Sequence, residues 1–375
     1  MSGKLRLPRP LHPVAWWIWA LAMAAAASRT ANPLVLTLLL ATVGTVVSAR
    51  RSTAPWARGF KAYFVVGLVI VGVRVVFRVL LGGVHGEHVL FTLPEVPLPD
   101  SVAGIRVGGP VTLEGILAAV YDAMRLATIL ICVGAANVLA DPKRLLKSMP
   151  SALHEISVAV VVAISIAPQL AESAQRIRRA RKLRGDSQRR MRLFRTVLVP
   201  VVLDALDRSL CLAAAMDSRG FGRSAASGDD RRRVTEGLVL LGLLGICVGV
   251  YGVLDSTTPW YFGSPMLAAG SAAALVGFVR SGRRVRTTRY RKDPWRVEEW
   301  GVCAVAVTVV TVFVVAAATD VDGMFPSVQP LVWPSLPWPA VLGCVVGVLP
   351  TWIAPPVRLE TRGVAAAGVE AGLAA

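Results

Sequence analysis

Charge is scarce in this chain. Of its 375 residues, 17% are Asp, Glu, Lys or Arg and 54% are hydrophobic, against roughly 25% charged in an ordinary soluble domain. Cysteine pairing is missing as well. Cys132, Cys211, Cys247, Cys303 and Cys344 stand singly, mostly in apolar runs, with no Cys-x-x-Cys spacing. Neither a disulfide framework nor a zinc site is therefore indicated. The Gly-x-x-x-x-Gly-Lys-Ser/Thr loop that cradles phosphates does not occur, which excludes ATP hydrolysis by that route. The alternating ten-residue strands of a membrane β-barrel are not seen either. No catalytic residue, cofactor or metal centre is called for.

What is present is a series of apolar runs near twenty residues long, the mark of a polytopic α-helical membrane protein. Eight spans are expected, at about 13–27, 33–48, 60–81, 113–139, 234–254, 265–279, 300–318 and 339–353. A basic segment from Lys4 to Arg9 precedes the first run, as in a signal peptide, but the many spans that follow mark it as a retained helix. The connection 82–110 is Gly/Pro-rich and nearly free of Lys and Arg, and is read as a loop.

Lys and Arg are distributed very unevenly between the two sides. With eight crossings and both termini inside, 36 of the 41 fall on the cytoplasmic side, and only Arg29 and Arg106 fall outside. This bias explains the net charge of +18 through the positive-inside rule, without invoking nucleic acid. The expected location is the plasma membrane. The expected organisation is a membrane region at 1–140, a cytoplasmic helical region at 141–233, a second membrane region at 234–354, and a disordered tail at 355–375.

The apolar run 156–166 is short for a span, and pairing it with 197–215 would put Asp204, Asp207 and Arg208 in lipid. Each such residue costs about 2.5–3.5 kcal/mol at a helix centre. Helices lying along the inner face are the cheaper arrangement.

Two phrases in this middle region stand out. Arg178-Arg179-Ala180-Arg181-Lys182-Leu183-Arg184-Gly185 and Ala213-Ala214-Ala215-Met216-Asp217-Ser218-Arg219-Gly220-Phe221 each carry a helix-forming run into Arg and stop at Gly. Gly reaches the left-handed conformation that ends a helix without steric cost. A cation just before it sits at the negative end of the helix dipole. A guanidinium fork held at such a tip is suited to a carboxylate on a partner. Either phrase alone is more often plain capping, and a basic loop is commonly a topology signal or a lipid contact. Two tips 35 residues apart between two groups of spans favour a paired docking role.

On these residues the chain resembles the transmembrane T component of energy-coupling factor (ECF) transporters, the CbiQ/EcfT family, over roughly residues 11–255. The resemblance rests on Leu183-Arg184-Gly185 and Ser218-Arg219-Gly220, with Leu183 and Ser218 where the family has Ala. It extends to Leu11-His12-Pro13, Ser28-Arg29-Thr30-Ala31-Asn32-Pro33, and Asp141-Pro142-Lys143-Arg144-Leu145-Leu146. It implies a non-catalytic coupler whose two tips dock on two ATP-binding-cassette subunits, through Arg181, Arg184, Gly185, Arg219 and Gly220. ATPase motion would pass through coupling helices to a substrate-binding S component for a vitamin or transition-metal ion.

Other polar residues carry weaker readings. His85-Gly86-Glu87-His88 could ligate a transition metal, but with no helix or strand to frame them they are read as solvated loop residues. Arg74, Arg78 and Arg125 lie inside spans, where such residues face a protein interior or snorkel. Pairing within the bundle, with Asp122 as one partner, or contact with the S component are both open. The rival reading is a self-contained secondary transporter or channel using these arginines, which an inverted repeat would support; no convincing repeat is found between the halves.

Overall fold

The computed structural model describes residues 9–51, 59–81, 86–96, 107–149, 153–183, 190–220, 229–255, 259–284 and 293–356. Among them the chain is almost entirely helical, as the apolar runs require, with seven helices long and apolar enough by length and composition to cross a membrane. The chain packs into two units. The first combines residues up to Leu145 with those from Asp293 onward, and the second is Leu146–Lys292.

The first unit is built around a short helix, α1 (Pro13–Ser28), which is apolar on every side. Ten of its sixteen residues are buried, as expected for a helix enclosed by others. α2 (Pro33–Arg50) and α4 (Leu113–Leu139) pack on it. So does α10 (Val297–Ala318), while α11 (Trp338–Val348) packs on α2 and α10. Sixteen residues rise only about 24 Å, short of the roughly 30 Å of hydrocarbon. Most of α1 touches other helices, and Ile18 and Leu21 are its exposed side chains. The helical ladder of α11 breaks at Pro350, which opens α12 (Pro350–Ile353) and has no N–H to give.

α3 (Phe60–Leu81) lies at the periphery and buries only Gly67. It leans on α4 through small residues: a Cβ at Gly67 would lie 3.3 Å from Ile131, and one at Gly134 would sit 2.4 Å from the Tyr63 ring.

Between α3 and α4 the structure departs from the sequence reading. Part of the connection is a two-stranded antiparallel hairpin, β1 (Val89–Val96) and β2 (Val107–Thr112), with Val89 opposite Thr112 and Leu93 opposite Gly109. Its register shifts at two places, and Gly108 and Gly109 take φ of 93° and 103°, which only glycine adopts cheaply. Thr112 then caps α4, its hydroxyl accepting from the Gly115 N–H at 3.2 Å.

The turn from α1 to α2 is polar yet buried. Asn32 Oδ1 accepts from the Leu34 N–H at 2.9 Å, and its amide donates to the Gly323 and Ser335 carbonyls at 2.6 Å each. The Thr30 hydroxyl donates to the Met324 carbonyl at 2.7 Å. Residues beyond α10 are thus fastened to the turn near the start of the chain. α5 (Pro142–Lys147) follows α4, begun by an Asp141 carboxylate that accepts from the Lys143 N–H at 2.9 Å.

The second unit holds two helical pairs. α6 (His154–Leu183) contacts α7 (Arg190–Ser218), and α8 (Asp229–Leu254) contacts α9 (Ser264–Arg284). The stretch 156–166 is not a short element but the start of a 30-residue helix, and Ile156–Ala180 is one of the seven helices that meet the length and composition of a span. α8 and α9 meet through glycines. A Cβ on Gly249 would lie 2.5 Å from the Leu267 backbone, and one on Gly270 2.6 Å from that of Gly245. Small residues let membrane helices approach this closely.

Candidate coupling site

α6 and α7 run antiparallel, with Ser173 opposite Asp204 and Gln169 opposite Arg208. The Ser173 hydroxyl donates to Asp204 Oδ2 at 2.7 Å. Arg208 Nε donates to Asp204 Oδ1 at 3.1 Å, and its Nη1 donates to Gln169 Oε1 at 3.1 Å. The Arg208 and Ser173 bonds hold the Asp204 carboxyl below the usual carboxylate range, against a smaller opposing effect of burial. Asp204 and Arg208 are four residues apart on one helix face, a spacing open to view in the sequence. Their link to α6 was not, because it depends on how two long helices align.

The end of α7 is laid out for contact. Its last ten residues are exposed apart from a half-buried Met216. The Gly220 N–H donates to the Asp217 carbonyl at 2.8 Å, and Gly220 takes φ of 70° with open space around it. This is a left-handed helix stop, with Arg219 as the last residue before it. At the end of α6, Leu183 is 89% exposed. Arg181 lies in that helix, its side chain outside the description. Arg184 and Gly185 fall outside the described residues.

The arginines inside spans of the first unit have partners on their own chain. Arg74 Nη2 lies 3.6 Å from Asp122 Oδ2. Arg78 Nε donates to the Gly115 carbonyl at 3.2 Å, and Arg125 donates to the Ser28 carbonyl. One residue the sequence reading passed over is Glu114, whose buried carboxylate accepts from the His88 backbone N–H at 3.1 Å and lies 2.7 Å from His88 Nδ1. His88 is therefore framed after all, by β1 directly after it and by α4. Among the described residues no group of three His, Cys, Asp or Glu side chains could hold a metal ion; His85 lies outside them.

These elements define a multi-pass helical membrane protein carrying, within its second unit, a polar-locked antiparallel helix pair with an exposed Arg-Gly tip. Residues 2–227 match the family model CbiQ, cobalt transport protein. The chain is similar to the energy-coupling factor transporter transmembrane protein EcfT of Leuconostoc gelidum subsp. gasicomitatum, 28% identical over 44% of this chain and 71% of the relative. It is also similar to EcfT of Thermanaerovibrio acidaminovorans, 30% identical over 46% of this chain and 66% of the relative. EcfT of Lactococcus lactis subsp. cremoris is 26% identical over 53% and 72%. The chain belongs to the CbiQ family of cobalt transport proteins, a family of membrane transport components. α8–α12 lie beyond the matched residues.

Proposed function

We propose that this chain is the coupling subunit, the T component, of an energy-coupling factor importer. It takes up a vitamin or transition-metal ion chosen by a separate S component and hydrolyses no ATP itself. Two ATP-binding-cassette subunits dock on the two Arg-Gly tips, Arg184-Gly185 with Arg181 beside it, and Arg219-Gly220. As the ATPases close and open, the tips move and the α6–α7 pair carries the motion to the S component. The helices lie along the inner face of the membrane, with both termini cytoplasmic.

The observation that carries this reading is the tip of α7, where an exposed helix ends at Arg219 on a Gly220 with positive φ. The named relatives are transmembrane proteins of energy-coupling factor transporters. The rival, a self-contained transporter using its intramembrane arginines, is disfavoured because Arg78 and Arg125 donate to carbonyls of their own chain and Arg74 pairs with Asp122.

Reversing both charges, Arg184→Glu with Arg219→Glu, tests the reading. The ATPase subunits should be lost from the purified complex in mild detergent, while the chain itself still inserts and purifies. Co-purification of the ATPases at wild-type yield would sink it.

A further inference from the structure

The chain passes from the first unit into the second at Leu145–Leu146 and returns at Lys292–Asp293. Arg144 and Asp293 flank those two points, 149 residues apart in sequence, and they are bonded to each other within the first unit. Arg144 Nε and Nη2 both donate to Asp293 Oδ2, at 3.1 and 2.8 Å. Its third arm, Nη1, donates to the Leu11 carbonyl at 3.3 Å, and Leu11 is buried just ahead of α1.

An exposed ion pair contributes little by itself. This one uses three arms of a planar fork, whose geometry is fixed once they are engaged, and it adjoins a second lock. Glu299 is fully buried and accepts from Arg9, the His12 N–H and the Arg296 N–H at 2.9, 3.3 and 3.0 Å. The His12 and Trp295 rings lie 5.1 Å apart. Outgoing chain, returning chain and the approach to α1 are gathered at one place. Because residues 228 onward lie outside the family match, the clasp fastens the family-matched chain to the part beyond it.

We propose that Arg144 is a positioning residue for coupling. Its bonds hold Arg144 and Asp293, the first-unit ends of the two connections, to the chain just ahead of α1, so force that reaches either end is delivered to α1. A chain end free to change its backbone angles takes up motion as a hinge; ends bonded to each other and to Leu11 pass it on. The inference rests on the coupling reading above and names how the motion is retained.

The test uses the full complex, ATPases and S component included, in proteoliposomes. Arg144→Ala and Asp293→Ala should each keep the ATPases bound and hydrolysing at the wild-type rate, while substrate taken up per ATP falls at least fivefold. The swapped pair, Arg144→Asp with Asp293→Arg, should recover at least half of that loss. Wild-type uptake per ATP in the single variants overturns the proposal, as does a swapped pair with no recovery. Loss of the ATPases in the single variants also overturns it, since that marks a docking residue. If Arg144→Ala does not fold, Arg144→Lys keeps the charge, drops the Leu11 arm, and should lower uptake per ATP at unchanged yield. Failure here leaves the coupling reading standing; only retention of the ATPases in the Arg184/Arg219 double variant defeats that.

Discussion

Trp19 donates its indole N–H to the carbonyl of Gly347 at 3.1 Å, in a contact buried between α1 and α11. The acceptor stands three residues before Pro350, where the ladder of α11 breaks. A side chain from the first helix thus serves a backbone group of the last apolar stretch described. Trp19→Phe keeps most of the packing but leaves that carbonyl without its donor, which costs about 1–3 kcal/mol. Thermal unfolding in detergent should show the loss, and Trp16→Phe, which leaves the Gly347 bond in place, should show less. Equal stability of Trp19→Phe and wild type would rule the bond out as a contributor.

The start of α1 is sensitive to pH. His12 caps the helix, with Nδ1 accepting from the Val14 N–H at 3.3 Å, and only a neutral Nδ1 can accept. Burial pushes the His12 pKa down; the Asp293 and Glu299 carboxylates pull it up, and the Arg144 cation pushes it down. The fold thus favours the unprotonated ring. The stabilisation is fully present above the unfolded value, about 6.5, and is lost as pH falls through the lower folded value. The unfolding temperature should therefore drop between pH 7 and 5. His12→Asn, which keeps a capping acceptor and cannot titrate, should flatten that part of the profile. A profile unchanged by His12→Asn would assign the drop to other groups.

The α8–α9 pair depends on backbone approach. Gly249→Leu would force its side chain against the Leu267 backbone, where a Cβ already sits at 2.5 Å and no side chain can swing aside. About 3 kcal/mol of overpacking should part the two helices. Gly237→Leu, on the same helix but with nothing within 4 Å of its Cβ, should be tolerated. Disulfide cross-linking between engineered cysteines on α8 and α9 would report the difference.

The long apolar runs were legible because lipid demands an uninterrupted stretch, and 60–81 or 113–139 could hardly be anything else. The hairpin was hidden, since Pro94 interrupts β1 and Gly108-Gly109 interrupt β2, and Val89 to Leu93 has no apolar–polar alternation to mark a strand. Asn32 could be read as a turn residue and helix cap, but not as a donor to Gly323 and Ser335. That bond joins points about 300 residues apart in sequence, and no local pattern encodes such a separation. The same holds for the packing of α10 on α1: both are apolar all round, so neither sequence shows which face meets which. At the candidate site, the Arg-Gly phrases were visible as capping chemistry. The Ser173–Asp204 bond was not, since serine on a helix has many possible partners.

The enclosure of α1 has a consequence for how the protein is made. α1 leaves the ribosome well ahead of α10, which covers one of its sides and begins at Val297. At ordinary synthesis rates that is a wait on the order of tens of seconds, during which a sixteen-residue helix, too short for the bilayer, is only partly sheathed. The packing of α1 is therefore completed only once α10 has been made. A ribosome stalled before residue 297 leaves behind an α1 whose α10-facing side is still open to lipid.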